Sequence, residues 1–187
     1  KKDQVATMFD NIAHKYDFLN HFLSMGIDKR WRKRAIQLLK EVQPAYILDV
    51  ATGTGDLAFS AAKALPEAKI LGVDISNEMM NVGRKKAIQK GLAQRVDFSL
   101  ADSENLPFED ETFDAVSCLE ALEFTPAPGD VLSEMARVLR PGGVFVVTNR
   151  INHDRFVRTG GTFQAVELPD FLVSKDPWFR PVDLKFG

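Results

Sequence analysis

The stretch Ile47-Leu48-Asp49-Val50-Ala51-Thr52-Gly53-Thr54-Gly55-Asp56 decides the fold. Apolar residues run into Asp49 and Val50, as in a buried strand. Gly53 and Gly55 permit the tight backbone of a turn and the close approach of a ligand. From Asp56, Leu57 and Ala58 a helical pattern runs to about Leu65. Strand, glycine turn and helix N-terminus together make a seat for a nucleotide-like or otherwise polar ligand. Gly53-x-Gly55-x-x-Ala58 also matches the relaxed form of a dinucleotide fingerprint. Taken alone, the match leaves two readings open: a ligand turn, and an ordinary strand-to-helix turn of an α/β protein.

Downstream, the alternation repeats. Ile70-Leu71-Gly72-Val73-Asp74-Ile75 is almost wholly apolar, as a parallel strand covered on both faces should be. It delivers Asp74 about 20 residues beyond Gly53, where a carboxylate can accept the hydrogens of ribose hydroxyls. Ser76 or Asn77 caps the next helix, with Met79, Met80, Val82 and Ile88 as its apolar content and Gly91 as its end. Val96–Leu100 alternates as a third strand and leads to Asp102 and Ser103. These two suit an adenine ring, or equally a capped turn. Phe113–Leu119 is the fourth strand, with Glu120 just beyond its end. Val131, Leu132, Met135, Val138 and Leu139 form an amphipathic helix stopped by Pro141-Gly142-Gly143, and Phe145–Thr148 is the fifth strand. Strands alternating with helices predict an α/β fold, a three-layer αβα sandwich around a mostly parallel sheet. After Ile151 the rhythm weakens. Asn152 to Arg155 is polar, Phe163–Leu168 reads as a strand, and Pro169, Pro177 and Pro181 oppose a long helix.

Upstream, residues 3–24 read as helix in two pieces. Val5, Met8, Phe9 and Ile12 recur at helical spacing, followed by Tyr16, Phe18, Leu19, Phe22 and Leu23 with His14, Asp17, Asn20 and His21 between them. Such a segment suits either a cover over a ligand pocket or a flap packed on the core. After Met25-Gly26-Ile27, Asp28 is expected to cap a helix over about 29–41, with Trp31, Ala35 and Leu38 on one side. Lys29, Arg30, Arg32, Lys33 and Arg34 form a basic run. It reads first as a solvated face and second as a contact for anionic membrane. Pro44 marks the boundary, so the chain is read as one domain: a helical cap (1–43), a ligand-binding core (44–150) and a short C-terminal region (151–187).

The 187 residues suffice for one substantial core. A formal net charge of -2 and the lack of an aromatic ladder beside the basic run argue against nucleic acid as a partner. Cys118 is the only cysteine, which suits a reducing compartment and a cytoplasmic location. The N-terminus does not read as a signal peptide, and no apolar run has bilayer-spanning length. His14, His21 and His153 are too scattered for a metal set, so no metal is expected. The composition has 14 phenylalanines against two tyrosines. Phe9, Phe18, Phe22, Phe156, Phe163, Phe171, Phe179 and Phe186 lie outside the central pattern, as core filling or as the lining of an apolar substrate cavity.

Taken together, Leu48 to Asp56, Gly72-Val73-Asp74-Ile75, Ala101-Asp102-Ser103, Leu106-Pro107-Phe108 with Phe113-Asp114, and Arg137 to Gly143 resemble the class I S-adenosylmethionine-dependent methyltransferases, over about residues 46–150. Met8-Phe9-Asp10-Asn11-Ile12-Ala13, Tyr16-Asp17-Phe18-Leu19-Asn20 and Gly26-Ile27-Asp28-Lys29-Arg30-Trp31-Arg32 resemble more narrowly the menaquinone/ubiquinone-biosynthesis C-methyltransferases, which methylate a ring carbon of a prenylated quinol. The resemblance implies a Rossmann-like core that binds S-adenosyl-L-methionine and releases S-adenosyl-L-homocysteine. It implies that Asp49 and the backbone of Ala51, Thr52, Gly53, Thr54 and Gly55 serve the methionine part. Asp74 with Ile75 would serve the ribose, and Asp102 with Ser103 the adenine. The acceptor would be a small apolar molecule near Tyr16 and the loop after Leu119. His14, Asp17, His21, Glu120 and Glu123 are candidate proton acceptors for the ring hydroxyl, and the catalytic set is therefore His14, Tyr16, Asp17 and Glu120. Cys118-Leu119-Glu120-Ala121-Leu122-Glu123-Phe124 departs from the family, where a basic stretch such as Ala-Phe-Gly-Val-Arg-Asn is usual, and the region after Arg150 is shorter than the family's. Methyl transfer to another small molecule or lipid, NAD-dependent oxidoreduction, and cofactor binding without catalysis are the alternative expectations.

Overall fold

The structure is a computed structural model that describes residues 2–17, 27–119, 121–122, 124–125, 127–148, 153–159 and 162–165. Helix α1 (Lys2–Ile12) runs into a 3-10 turn (Ala13–Lys15), and α2 spans Ile27–Val42. Then come β1 (Tyr46–Val50), α3 (Asp56–Ala64), β2 (Lys69–Asp74), α4 (Asn77–Gln89), β3 (Val96–Leu100), β4 (Phe113–Leu119), α5 (Pro128–Val138), β5 (Leu139–Thr148), β6 (His153–Thr159) and β7 (Thr162–Ala165). The seven strands form one sheet in the order β3-β2-β1-β4-β5-β6-β7. The pairs from β3 across to β5 are parallel; β6 and β7 are antiparallel additions. This is the Rossmann-like α/β architecture with an N-terminal helix.

Period-two alternation sends neighbouring residues to opposite faces. Ile47, Ala115, Val144 and Val146 join α2 and α3 in one buried cluster. Leu48, Val116, Phe145 and Val147 join α5 in the other. Both faces are covered, which is why these strands are apolar throughout.

Several boundaries differ from the expectation. Asp28 lies inside α2, which already starts at Ile27, and so is not its cap. Of the two expected caps of α4, Ser76 is the one used, its Oγ accepting from the Met79 N–H at 3.2 Å. Ile88, expected with the apolar face of α4, is 71% exposed. Helix α5 stops at Val138, before Pro141-Gly142-Gly143. The chain is already extended from Leu139, and the register against β4 shifts between Phe113 and Ala115 to absorb the extra residues. The polar run at His153 to Arg155 belongs to strand β6; of the strand expected over Phe163–Leu168, residues 163–165 lie in Thr162–Ala165 and residues 166–168 lie outside the described residues. The second piece of the N-terminal helix, with Phe18 and Phe22, lies outside the described residues.

The starts of the parallel strands are braced by charge. Asp114 Oδ2 accepts the N–H groups of Ala45 and Tyr46 at 3.1 and 2.8 Å, while its Oδ1 takes the Arg140 guanidinium at 2.6 Å. Arg137 reaches both oxygens of Glu134, at 2.8 and 2.7 Å, and the carbonyls of Leu106 and Phe108. The Arg137 guanidinium holds the Glu134 carboxyl below its usual range. The Leu106-Pro107-Phe108 and Arg137-to-Gly143 motifs are therefore scaffold parts, at the sheet end opposite the strand C-termini.

Candidate cofactor and acceptor site

The turn after β1 is built by its own backbone. Ala51 adopts φ +54°, Gly53 +57° and Gly55 +85°. The Thr52 N–H donates to the Val73 carbonyl at 2.9 Å, and the Gly55 N–H returns to the Thr52 carbonyl at 3.0 Å. Gly55 has a second reason to lack a side chain. A Cβ there would lie 2.6 Å from the Phe98 ring, which also fills the space left by Gly83. Ala51 is a non-glycine residue in left-handed backbone at the mouth of a cavity, a conformation that costs roughly 1–3 kcal/mol and persists where its surroundings enforce it.

Beneath the turn, Asp49 is buried. Its oxygens accept from Thr52 Oγ1 at 2.7 Å and Ser117 Oγ at 2.8 Å. Burial pushes its carboxyl up to about 6, against the two hydrogen bonds that favour the anion. Asp74, at the end of β2, accepts the Gly53 N–H at 2.8 Å and the Ser76 N–H at 2.8 Å. Burial raises its pKa as well, and those backbone donors hold the rise down.

The cavity opens at the strand C-termini, where the sheet order reverses between β1 and β4, the crevice in which open parallel sheets take ligands. Its free space is about 850 Å³, part of it open to solvent. Its lining carries the polar side chains of Asp74, Asp102, Ser103 and Glu104 together with the apolar and aromatic ones of Val5, Phe9, Leu119, Ala121 and Phe124. Phe9 stands edge-on to Phe124 at 5.5 Å and to Tyr16 at 6.0 Å between ring centroids. Three carboxylates face the cavity, and its described lining contains no lysine, arginine or histidine.

Of the residues chosen from sequence, Tyr16, Ala51, Gly53, Asp74, Ile75, Asp102 and Ser103 come together on this cavity. Asp49, Thr52, Thr54 and Gly55 lie behind it, shaping the turn. Thr54 is buried and donates to Asp17 Oδ1 at 2.5 Å. Asp17 thus faces the glycine turn and Lys86, whose Nζ is 2.8 Å from its Oδ2. His14 is exposed and is not part of the lining. His21, Glu120 and Glu123 lie outside the described residues. Sequence reasoning passed over Val5, Glu104, Ala121, Phe124 and Thr125 as lining. The recurrence of Val5 and Phe9 on one helix face and the expected role of the loop after Leu119 pointed to their neighbourhood without naming them. It also passed over Asp10, whose Oδ1 accepts from Ser76 Oγ at 2.6 Å and the Glu78 N–H at 3.1 Å, docking α1 onto the start of α4. The basic run of α2 divides: Arg32 pairs with Asp56 at 3.2 Å, while Lys29, Arg30 and Lys33 are exposed.

A reversed parallel sheet, a glycine turn after its first strand and carboxylates closing the next two strands define the class I S-adenosylmethionine-dependent methyltransferase fold. The chain belongs to the ubiE/COQ5 methyltransferase family, whose profile matches residues 1–168. A demethylmenaquinone methyltransferase of Bacteroides fragilis is 46% identical over 156 residues, 83% of this chain and 64% of the relative. A ubiquinone/menaquinone biosynthesis C-methyltransferase UbiE of Geotalea daltonii is 40% identical over 192 residues, 92% of this chain and 82% of the relative. Among solved structures, a geranyl diphosphate methyltransferase in complex with GPP and sinefungin matches with a TM-score of 0.57 at 26% identity, over 62% of this chain and 42% of that one. The chain thus spans a little under two thirds of the Bacteroides relative's length.

Proposed function

We propose that the chain transfers a methyl group from S-adenosylmethionine to a ring carbon of a prenylated quinol such as demethylmenaquinol. The observation that carries this reading is the cavity's mixed lining, with three carboxylates and the rings of Phe9, Tyr16 and Phe124 around one space. A sulfonium cation suits a lining with three carboxylates and no described cation. The pyrophosphate of a dinucleotide, an anion, does not suit the same three carboxylates. When bound, S-adenosylmethionine supplies an electrophilic methyl group on a sulfur leaving group. Asp74 retains a lone pair for a ribose beyond its backbone donors Gly53, Ser76 and Ile75, and Asp102 with Ser103 flanks the position of the base. The rings of Phe9, Tyr16 and Phe124 exclude water and hold a flat apolar acceptor by its faces and edges. Tyr16 brings a hydroxyl into that wall, where it can orient a ring hydroxyl of the acceptor. Orientation and water exclusion supply most of the catalysis in this reading.

The exposed Lys29, Arg30 and Lys33 support contact with an anionic membrane from which a prenylated acceptor is drawn. Cosedimentation with anionic vesicles that persists in the triple charge reversal K29E/R30E/K33E would remove that contact. The central test is calorimetry with S-adenosylhomocysteine, followed by mass analysis of the product from a demethylated prenyl quinol. The reading expects stoichiometric binding and a product heavier by one methylene. Binding of NAD instead would overturn the cofactor; cofactor binding with no ring-methylated product would overturn the acceptor.

A further inference from the structure

Lys86 of α4 lines no part of the cavity, yet three elements of the site meet at its ammonium group. Its Nζ is 2.8 Å from Asp17 Oδ2, 3.0 Å from Thr54 Oγ1 and 2.8 Å from Asp56 Oδ1. Asp17 follows Tyr16 on the N-terminal segment, Thr54 belongs to the glycine turn, and Asp56 opens α3 and also holds Arg32 of α2. The ammonium also stands over the Phe59 ring, 5.7 Å from its centroid. Only 17% of the Lys86 side chain is exposed, so its charge is partly withdrawn from water and screened less than a surface pair.

We propose that Lys86 is a positioning residue, an electrostatic latch that holds the Phe9–Tyr16 segment shut over the cavity. The charges decide the matter. Asp17 and Asp56 are both anionic and converge on one cation, which neutralises them pairwise with the help of Arg32. Without the cation at 86, two carboxylates face each other across the buried Thr54 hydroxyl, and Asp17 moves away. Tyr16 moves with it, because it is the adjacent residue. Tyr16 Cε1 lies only 3.9 Å from the position of a Cβ on Gly53, so this ring is what covers the glycine turn. The other end of the segment is held separately, by Asp10 on Ser76 and Glu78. The segment is thus pinned at two points on α4, with the two aromatic lining residues on it. One pin is a helix cap that needs no cation. The other depends on Lys86 alone among the described residues that reach Asp17 with a positive charge.

The inference deepens the proposed function by naming what closes the cofactor seat, and its first readout is independent of any ligand. In K86Q, hydrogen exchange through residues 13–17 should accelerate by roughly tenfold, while β1 and β4 keep the parent's protection. K86R should restore the slow exchange. The dissociation constant for S-adenosylhomocysteine should rise in K86Q through a faster off-rate, with K86R near the parent. Unchanged exchange over residues 13–17 in K86Q would overturn the latch. So would equal acceleration through β1 and β4, which would make Lys86 a general stabiliser. Accelerated exchange in a protein that does not bind S-adenosylhomocysteine at all would uphold the latch and overturn the cofactor reading instead.

Discussion

A Cβ on Gly72 would lie 2.7 Å from Thr52 Cγ2 and 2.8 Å from Thr52 Oγ1. The bare backbone of β2 is the space into which Thr52 turns to donate to Asp49. Gly72→Ala must therefore displace Thr52 or spread β1 from β2. The expected cost is about 1–3 kcal/mol of stability, the range for an extra methyl group forced into a packed site. Weaker S-adenosylhomocysteine binding should accompany it, because Thr52 shapes the turn. Thermal unfolding and calorimetry on the same sample check both; an alanine variant as stable as the parent would show that Thr52 has room to spare.

Asp49 makes stability depend on pH. Its folded carboxyl titrates at about 6 against 3.8 for the free group, with burial as the main cause. Between those values the folded chain binds more protons than the unfolded chain, so stability falls as pH rises through the window. The cost is complete above about pH 6 and absent below the unfolded value. Asp49→Asn removes the ionisation while keeping one acceptor for Thr52 or Ser117. It should be more stable than the parent at pH 8 by about 1–3 kcal/mol, with the advantage gone near pH 4. Denaturant midpoints across this range measure it, and a constant difference at every pH would rule out Asp49 as the titrating group.

The same two carboxylates give the site a charge preference. Burial raises the pKa of both Asp49 and Asp74, and a cation nearby favours their ionised forms. S-adenosylmethionine carries a sulfonium that S-adenosylhomocysteine lacks. Because Asp49 titrates at about 6, the affinity ratio favouring the charged form should grow by roughly fivefold to tenfold as pH rises from 5 to 7.5. Calorimetric titrations of both ligands at the two pH values give the ratio; a flat one would mean that neither carboxylate senses the ligand's charge.

Cys118 is buried in β4, and burial together with the nearby Asp49 and Asp74 charges pushes its thiol up to about 12. The folded protein should resist alkylation at neutral pH, since the thiolate is the reactive form. Labelling should follow the unfolding curve measured by circular dichroism. Rapid labelling of fully folded protein would place the thiol in contact with solvent.

What was legible in the sequence was local. Ile47 to Asp56 forms strand, turn and helix from neighbouring residues, so its outline and the positions of Asp74 and Asp102 at strand ends could be read by counting. The contacts of Asp10 and Asp17 could not, because their partners Ser76, Glu78, Thr54 and Lys86 are distant in the chain and brought near only by packing. Strand β6 was hidden for a different reason. His153, Asp154 and Arg155 lack the apolar run of a doubly covered strand, and an antiparallel strand needs no such run. The motif at Arg137 to Gly143 was read correctly as a mark of the family, but its work is structural, and nothing in its spacing distinguishes a brace from a ligand site.

That brace has a consequence for how such proteins diversify. Asp114 and Arg140 tie the beginnings of β1, β4 and β5 together and Arg137 ties α5 to the loop before β4, while the residues that would touch an acceptor, such as Phe9, Leu119 and Phe124, line the cavity at the other rim of the sheet. On the proposed reading, the positions that brace the fold and those that would meet the acceptor are separate sets. A lineage can redraw the mouth of the cavity without re-solving the fold. Exchanging those three side chains between relatives should alter which acceptor is methylated and leave the unfolding midpoint nearly in place.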